Sequence, residues 1–427
     1  MLLLQGAGRG ATAVPVVLVF IALSGCGAKV DQRGPVPTLA TADLRAFSDP
    51  DREYGASMAT SDLDGDGNPE LILGCPAIEA PTVGAVLVLS GVDLTIQTVM
   101  MPDPRHNSSS EPSRFGASVV SADFDRDGLP DIAVGAPSMT VDGVPGAGQV
   151  WVYLGRLGNR FPEIRTATDP RIQGGFGARL EVADLERDGN PELVVAEPGP
   201  NREGRVWVLR GPQLDSAEVF SAEVGRTGFG AVLQALHPSF AGAIIVGAPQ
   251  DPDQDGGPRG AAYVLSQGDA RRVQPAGSEQ DFAASFAQGD FDGDGEVELV
   301  ASAFGGGPAL YHFETGAWDA PERRALPAGV SAGPSARLFA LPDVTGDQRD
   351  ELLVLGESES LVLYSPRLDQ TYARLPYAVS AAVAGDFDHD GQVELLVSTV
   401  GRHHPSGISI LRLVEFGIAD LTELPDG

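Results

Sequence analysis

Short apolar runs punctuate this chain at regular intervals: LILG ends at Gly74, IAVG at Gly135, LVVA at Ala196, LVAS at Ser302 and LLVS at Ser398. Such runs, bounded by turn residues, predict buried strands. A second class of segment follows each: GAVLVLSG (84–91), GQVWVYLG (148–155), GRVWVLRG (204–211), GAAYVLSQG (260–268), ALYHFETG (309–316), SLVLYSP (360–366) and GISILRL (407–413). These alternate small or polar with apolar residues, the period of a half-buried strand. Ahead of the runs stands an aromatic–small–Ala element: Tyr54-Gly55-Ala56, Phe115-Gly116-Ala117, Phe176-Gly177-Ala178, Phe229-Gly230-Ala231 and Phe282-Ala283-Ala284, with Ser335 and Ala378 holding the place later. Seven units result, each with three strands and room for a fourth. Arrays of this period bury their faces against neighbours. Four-stranded sheets repeated radially make a β-propeller. The expected fold is therefore all-β, a seven-bladed β-propeller of four-stranded antiparallel blades.

An acidic nonapeptide precedes five of the apolar runs. The carboxylates are Asp62, Asp64, Asp66 and Glu70; Asp123, Asp125, Asp127 and Asp131; Asp184, Glu186, Asp188 and Glu192; Asp290, Asp292, Asp294 and Glu298; and Asp386, Asp388, Asp390 and Glu394. They hold loop positions 1, 3, 5 and 9, with glycine at position 6. Ca²⁺ takes six to eight oxygen ligands and favours clustered carboxylates around a sharp glycine turn. Two carboxylates about 5 Å apart repel by roughly 3 kcal/mol at an effective dielectric near 20. Repetition of so unfavourable an arrangement points to about five calcium sites in loops that join strands. An EF-hand would need Glu at position 12 between helices. That position is Leu73, Val134, Val195, Ala301 and Val397, each within a strand-like run. A plain acidic hairpin turn is the other reading of any single copy. Residues from Asp343 form a weakened sixth loop, with Asp347 and Glu351 kept, Thr345 at position 3 and Gln348 in the glycine place. The unit around His237 has lost its acidic loop.

A third signature closes the first four units: Gly74-Cys75-Pro76, Gly135-Ala136-Pro137, Ala196-Glu197-Pro198 and Gly247-Ala248-Pro249. Phe-Gly, then the acidic loop, then Gly-Ala-Pro resembles the FG-GAP repeat, over roughly residues 46–413. The chain looks like the seven-bladed propeller of integrin α subunits and bacterial relatives. The resemblance implies that calcium also takes the position-7 backbone carbonyls of Asn68, Leu129, Asn190, Glu296 and Gln392. It implies mainly structural calcium and partners on the opposite face.

The amino terminus changes the picture of location. Residues 1–26 combine Arg9, an apolar stretch from Ala13 to Leu23 and the ending Leu23-Ser24-Gly25-Cys26. Such a core is too short to span a bilayer and reads as a signal peptide. The ending resembles a bacterial lipobox, which makes Cys26 the acylated residue. Gly27 after it points to the outer membrane of a Gram-negative cell, on the periplasmic or the surface side. Residues 27–45 read as a flexible tether and 46–427 as the propeller. Cys75 then has no intrachain partner and reads as a small buried thiol.

Net charge is −30, from 59 acidic and 29 basic residues, and no lysine- or arginine-rich stripe is visible. This argues against nucleic acid, whose affinity rests on Lys and Arg contacts to phosphate. The six histidines form no HExxH spacing, and neither a Gly-x-Ser-x-Gly elbow nor a phosphate-cradling loop occurs. No catalytic residue is assigned. Trp151 and Trp207 suit packing between blades, with sugar stacking as the alternative. The expected function is a non-enzymatic, calcium-binding lipoprotein scaffold that contacts a protein or glycan ligand and meets the membrane through its lipid alone. A lectin-like propeller is the second reading, and a polysaccharide-active enzyme the third.

Overall fold

The computed structural model describes residues between Gly55 and Arg412, except for connecting segments such as 77–83, 103–111, 327–335, 342–347 and 386–393. Its strands fall into seven antiparallel sheets. The first holds β1 (Ser57–Ser61), β2 (Glu70–Cys75), β3 (Ala85–Leu89) and β4 (Ile96–Met100); the second β5 (Ser118–Ala122), β6 (Asp131–Ala136), β7 (Gln149–Tyr153) and β8 (Ile164–Ala167). The third holds β9 (Arg179–Ala183), β10 (Glu192–Glu197), β11 (Arg205–Arg210) and β12 (Ser216–Ser221); the fourth β13 (Val232–Ala235), β14 (Ile244–Ala248), β15 (Ala261–Ser266) and β16 (Asp269–Val273). The fifth holds β17 (Gln280–Gly289), β18 (Glu298–Gly305), β19 (Ala309–Phe313) and β20 (Glu322–Ala325); the sixth β21 (Arg337–Leu341), β22 (Glu351–Leu355), β23 (Leu361–Tyr364) and β24 (Thr371–Leu375). The seventh has β25 (Ala381–Gly385), β26 (Glu394–Thr399) and β27 (Gly407–Arg412). No α-helix occurs among the described residues. Strands pair in sequence order, and the first strands of successive sheets pack side by side from β1 through β21. This is the arrangement of a β-propeller.

Burial follows strand position. The second strands β2, β6 and β10 are buried at every residue, as their unbroken apolar runs require. The first strands β1 and β13 are half-buried throughout. Among the described side chains, the fourth strands β4, β12, β16 and β20 are largely exposed, and β16 and β20 carry charges that protect an outer edge. Cores lie between sheets rather than within them. Ile72 and Val88 of the first sheet pack with Phe115, Val134 and Trp151 of the second unit, and the same interleaving continues to the sixth sheet.

The repeated motifs are the couplings between units. Each motif phenylalanine meets a third-strand aromatic edge to face: Phe115 with Trp151, Phe176 with Trp207, Phe229 with Tyr263 and Phe282 with Tyr311, at centroid distances of 5.0–6.3 Å. Such pairs add about 0.5–1.5 kcal/mol beyond their buried area. The glycine after each phenylalanine is left-handed, with φ of 90° at Gly116, 88° at Gly177 and 81° at Gly230. The fifth unit forces Ala283 into the same region at φ 66°, at some cost in strain. The Gly-Ala-Pro glycine makes room for that turn. A Cβ on Gly74 would stand 2.1 Å from the Gly116 carbonyl oxygen, and one on Gly135 would stand 2.0 Å from that of Gly177. Phe-Gly of one unit thus docks on Gly-Ala-Pro of the unit before it. Cys75, beside Gly74, is buried and unoxidised.

Candidate metal centre

Each acidic loop links the first and second strands of its sheet, at one end of that strand pair. The loop backbone is held by its own carboxylates. Position 1 accepts the position-6 N–H: Gly67 to Asp62 at 3.0 Å, Gly128 to Asp123 at 2.9 Å and Gly189 to Asp184 at 2.9 Å. Position 5 accepts the position-7 N–H in all four described loops. Position 9 accepts the position-2 N–H: Leu63 to Glu70, Phe124 to Asp131, Leu185 to Glu192 and Phe291 to Glu298, at 2.7–2.9 Å. The position-6 glycines carry φ between 81° and 91°, a region other residues reach only at a cost. Gln348, in the same place of the weakened sixth loop, keeps φ 69°. Glu351 of that loop is buried; Asp343, Thr345 and Asp347 lie outside the described residues.

Among the described residues, three loops bring ligand oxygens together within 4.8 Å of one another: Asp62, Asp64 and Asp66; Asp123, Asp125 and Asp127; and Asp290, Asp292, Asp294 and Glu298. Two oxygens on opposite sides of a calcium ion, each at about 2.4 Å, stand about 4.8 Å apart. The clusters therefore have the span of one coordination sphere. The third loop does not gather its acids this way. Glu186 turns to Arg210, 3.2 Å from its Nε. Glu70, Asp131 and Glu192 also stand outside the close groups. Asp131 instead receives the N–H groups of Phe124, Asp125 and Gly155. Of the fifth loop, Asp386, Asp388, Asp390 and Gln392 lie outside the described residues, and only the backbone of Glu394 is described, in β26.

Burial sets the electrostatics. Desolvation pushes Asp131 up to about 6 despite its backbone donors, with Asp125 adding repulsion. Glu70 and Glu192 rise for the same first cause. Glu298 rises most, to about 8, through burial and then the nearby charges of Asp292, Asp290 and Glu314. Its Oε1 is buried without a hydrogen-bond partner among the described residues. His312 of β19 lies 3.9 Å away but is itself pushed down by burial, so it supplies no positive charge at neutral pH. Sequence reasoning missed this histidine, because only the β18–β19 register, pairing Val300 with His312, sets it beside Glu298. Four acids, one with a buried oxygen that no described group hydrogen-bonds, fit a hard divalent cation bound through oxygen.

Residues 115–153 match a family model described as the FG-GAP repeat. Phosphatidylinositol-glycan-specific phospholipase D of Homo sapiens is 29% identical over 248 residues, which cover 52% of this chain and 29% of that protein. Integrin alpha-8 of Gallus gallus is 32% identical over 169 residues, which cover 38% of this chain and 15% of that protein. The chain thus spans less than a third of the length of these relatives. The crystal structure of BBS1N in complex with ARL6DN, soaked with mercury, superimposes with a TM-score of 0.53 at 15% identity, covering 86% of this chain and 95% of that one. That likeness concerns the fold alone. Residues 115–153, with Phe115-Gly116, the Asp123 loop and Gly135-Ala136-Pro137 inside them, thus match the FG-GAP repeat, and the chain is similar over parts of its length to integrin alpha and to phosphatidylinositol-glycan-specific phospholipase D.

Proposed function

We propose that the chain is a calcium-stabilised, seven-bladed propeller that acts without catalysis, as a scaffold for contacts with a protein or glycan. It is tethered to the outer membrane of a Gram-negative cell through lipid on Cys26. Ring closure is supported by β1, which packs against β5 on one side and β25 on the other. The calcium assignment rests on the cluster of Asp290, Asp292, Asp294 and Glu298 with the buried, unpartnered Oε1 of Glu298. A bound cation supplies the positive charge that His312 does not. Calcium suits the site better than magnesium, which keeps several waters and uses only one or two carboxylates. The chain's own residues fix the loop beforehand: Asp290 takes the Gly293 N–H, Asp292 that of Asp294, and Asp294 that of Glu296. The metal would lock the ends of two strands whose outer surfaces form the cores between blades.

Elemental analysis of a variant carrying Asp292→Ala and Asp294→Ala tests the assignment. We expect about one calcium fewer per chain than in the unaltered protein, because two of the carboxylates of one site are gone. Asp125→Ala with Asp127→Ala should have the same effect at the second loop. Calcium content unchanged in both variants rejects the sites.

A further inference from the structure

The ends of the sheets opposite the acidic loops carry a different chemistry. A cavity of 810 Å³ opens there, beside the prolines Pro76, Pro137 and Pro198, and is lined by Arg114, Arg179 and Arg337. Its size is that of a small-molecule site. No acidic side chain lines it among the described residues, although the chain carries a net charge of −30. The arginines come from the second, third and sixth units, far apart in sequence. Arg179 is open to the cavity; the protein packed around it, then Arg337 and Arg114, push it down to about 10.

The repeat itself shows that the fold does not require these arginines. The place of Arg179, five residues before the loop, holds Ser57, Ser118 and Ser285 in three other units. Those serines tie units together. Ser57 Oγ donates to the Gly116 carbonyl, and Ser118 and Ser285 Oγ accept the N–H groups of Leu180 and Leu338. Arg179 gives up that contact and lines the cavity. Arg114 precedes Phe115 at φ 55°, where the third and fourth units use Gly175 and Gly228 at φ 69° and 80°. The fifth unit holds Asp281 at φ 58° in the same place, so this left-handed turn belongs to the repeat and admits residues other than glycine at a cost of roughly 1–2 kcal/mol.

We propose that this cavity binds a small molecule bearing a multivalent oxyanion, held by Arg114, Arg179 and Arg337. Guanidinium groups match phosphate, sulfate and carboxylate oxygens in paired hydrogen bonds. An anion there also relieves the repulsion among three like charges.

Isothermal titration of the calcium-loaded chain at low ionic strength tests this, with sodium sulfate, phenyl phosphate and tricarballylate as separate probes and chloride as the control. At least one probe should give a saturable isotherm, and its identity tells sulfo, phospho and carboxylate ligands apart. Arg179→Gln and Arg337→Gln should each weaken that binding by about tenfold or more, the loss of one charge-assisted contact. Arg179→Lys should recover part of it. Calcium content and thermal midpoint should stay as in the unaltered chain, which separates this site from the metal loops. No saturable heat with any probe, or equal binding by the glutamine variants, overturns the proposal.

Discussion

Stripping calcium from the chain should lower its thermal unfolding midpoint by at least about 10 °C. Each site that binds only the folded state adds about 2.7 kcal/mol at a hundredfold excess over its dissociation constant. The three close clusters alone would then contribute about 8 kcal/mol, against a typical net stability of 5–15 kcal/mol. The drop should also depend on pH, and its sign follows from the carboxylates. Glu298 is raised from 4.5 to about 8 and Asp131 from 3.8 to about 6. Without metal, the folded state prefers these groups protonated. Its stability is therefore greatest below their unfolded values and falls as pH rises through the folded ones. Calcium supplies the compensating charge, so the loss on stripping should be larger at pH 8.5 than at pH 5.5. Thermal melts of stripped and calcium-loaded protein at both pH values check this. An equal or reversed pH effect would show that the buried carboxylates do not face the metal.

The second large effect concerns glycine. Gly148→Ala should destabilise the fold by about 3 kcal/mol or more, the sum of left-handed strain and overpacking. Gly148 has φ 85°, and a Cβ there would meet the Phe176 oxygen at 2.3 Å and its nitrogen at 2.4 Å. Both are backbone atoms of the next unit, joined to Gly148 by an isolated parallel bridge, so neither can yield alone. Gly143→Ala is the control. Its φ is 80°, but nothing lies within 4 Å of its Cβ position. That variant should lose only about 1 kcal/mol, the strain itself. Denaturant unfolding of both variants separates the two causes. Equal losses would mean that the glycines serve conformation alone and that docking between units does not need them.

Much of the architecture was legible because it repeats. The fully apolar second strands and the alternating third strands carry strong periodic signals, and Phe-Gly with Gly-Ala-Pro sets their register. The fourth strands show in the sequence only as room in each unit. In β4, Ile96 and Val99 are 48% and 52% exposed, and β20 reads ERRA; outer edge strands give no burial pattern to find. The acidic loops announced their positions, but local partners decide which acids converge. Glu186 matches the motif in sequence yet turns to Arg210, a residue of the third strand. The position-9 acids were read as ligands, and the structure shows that they also anchor the position-2 amide from a buried place. The sequence shows no arginine stripe, because Arg114, Arg179 and Arg337 meet only when the sheets come together.

Calcium counted per chain tests the account most directly. Protein purified in calcium, dialysed free of loose ions and measured by elemental analysis should hold about three to five equivalents, three for the close clusters and up to one more for each of the Asp184 and Asp386 loops. Less than about one equivalent, in protein that is folded and melts cooperatively, would mean that these loops are acidic turns held by their own backbone amides.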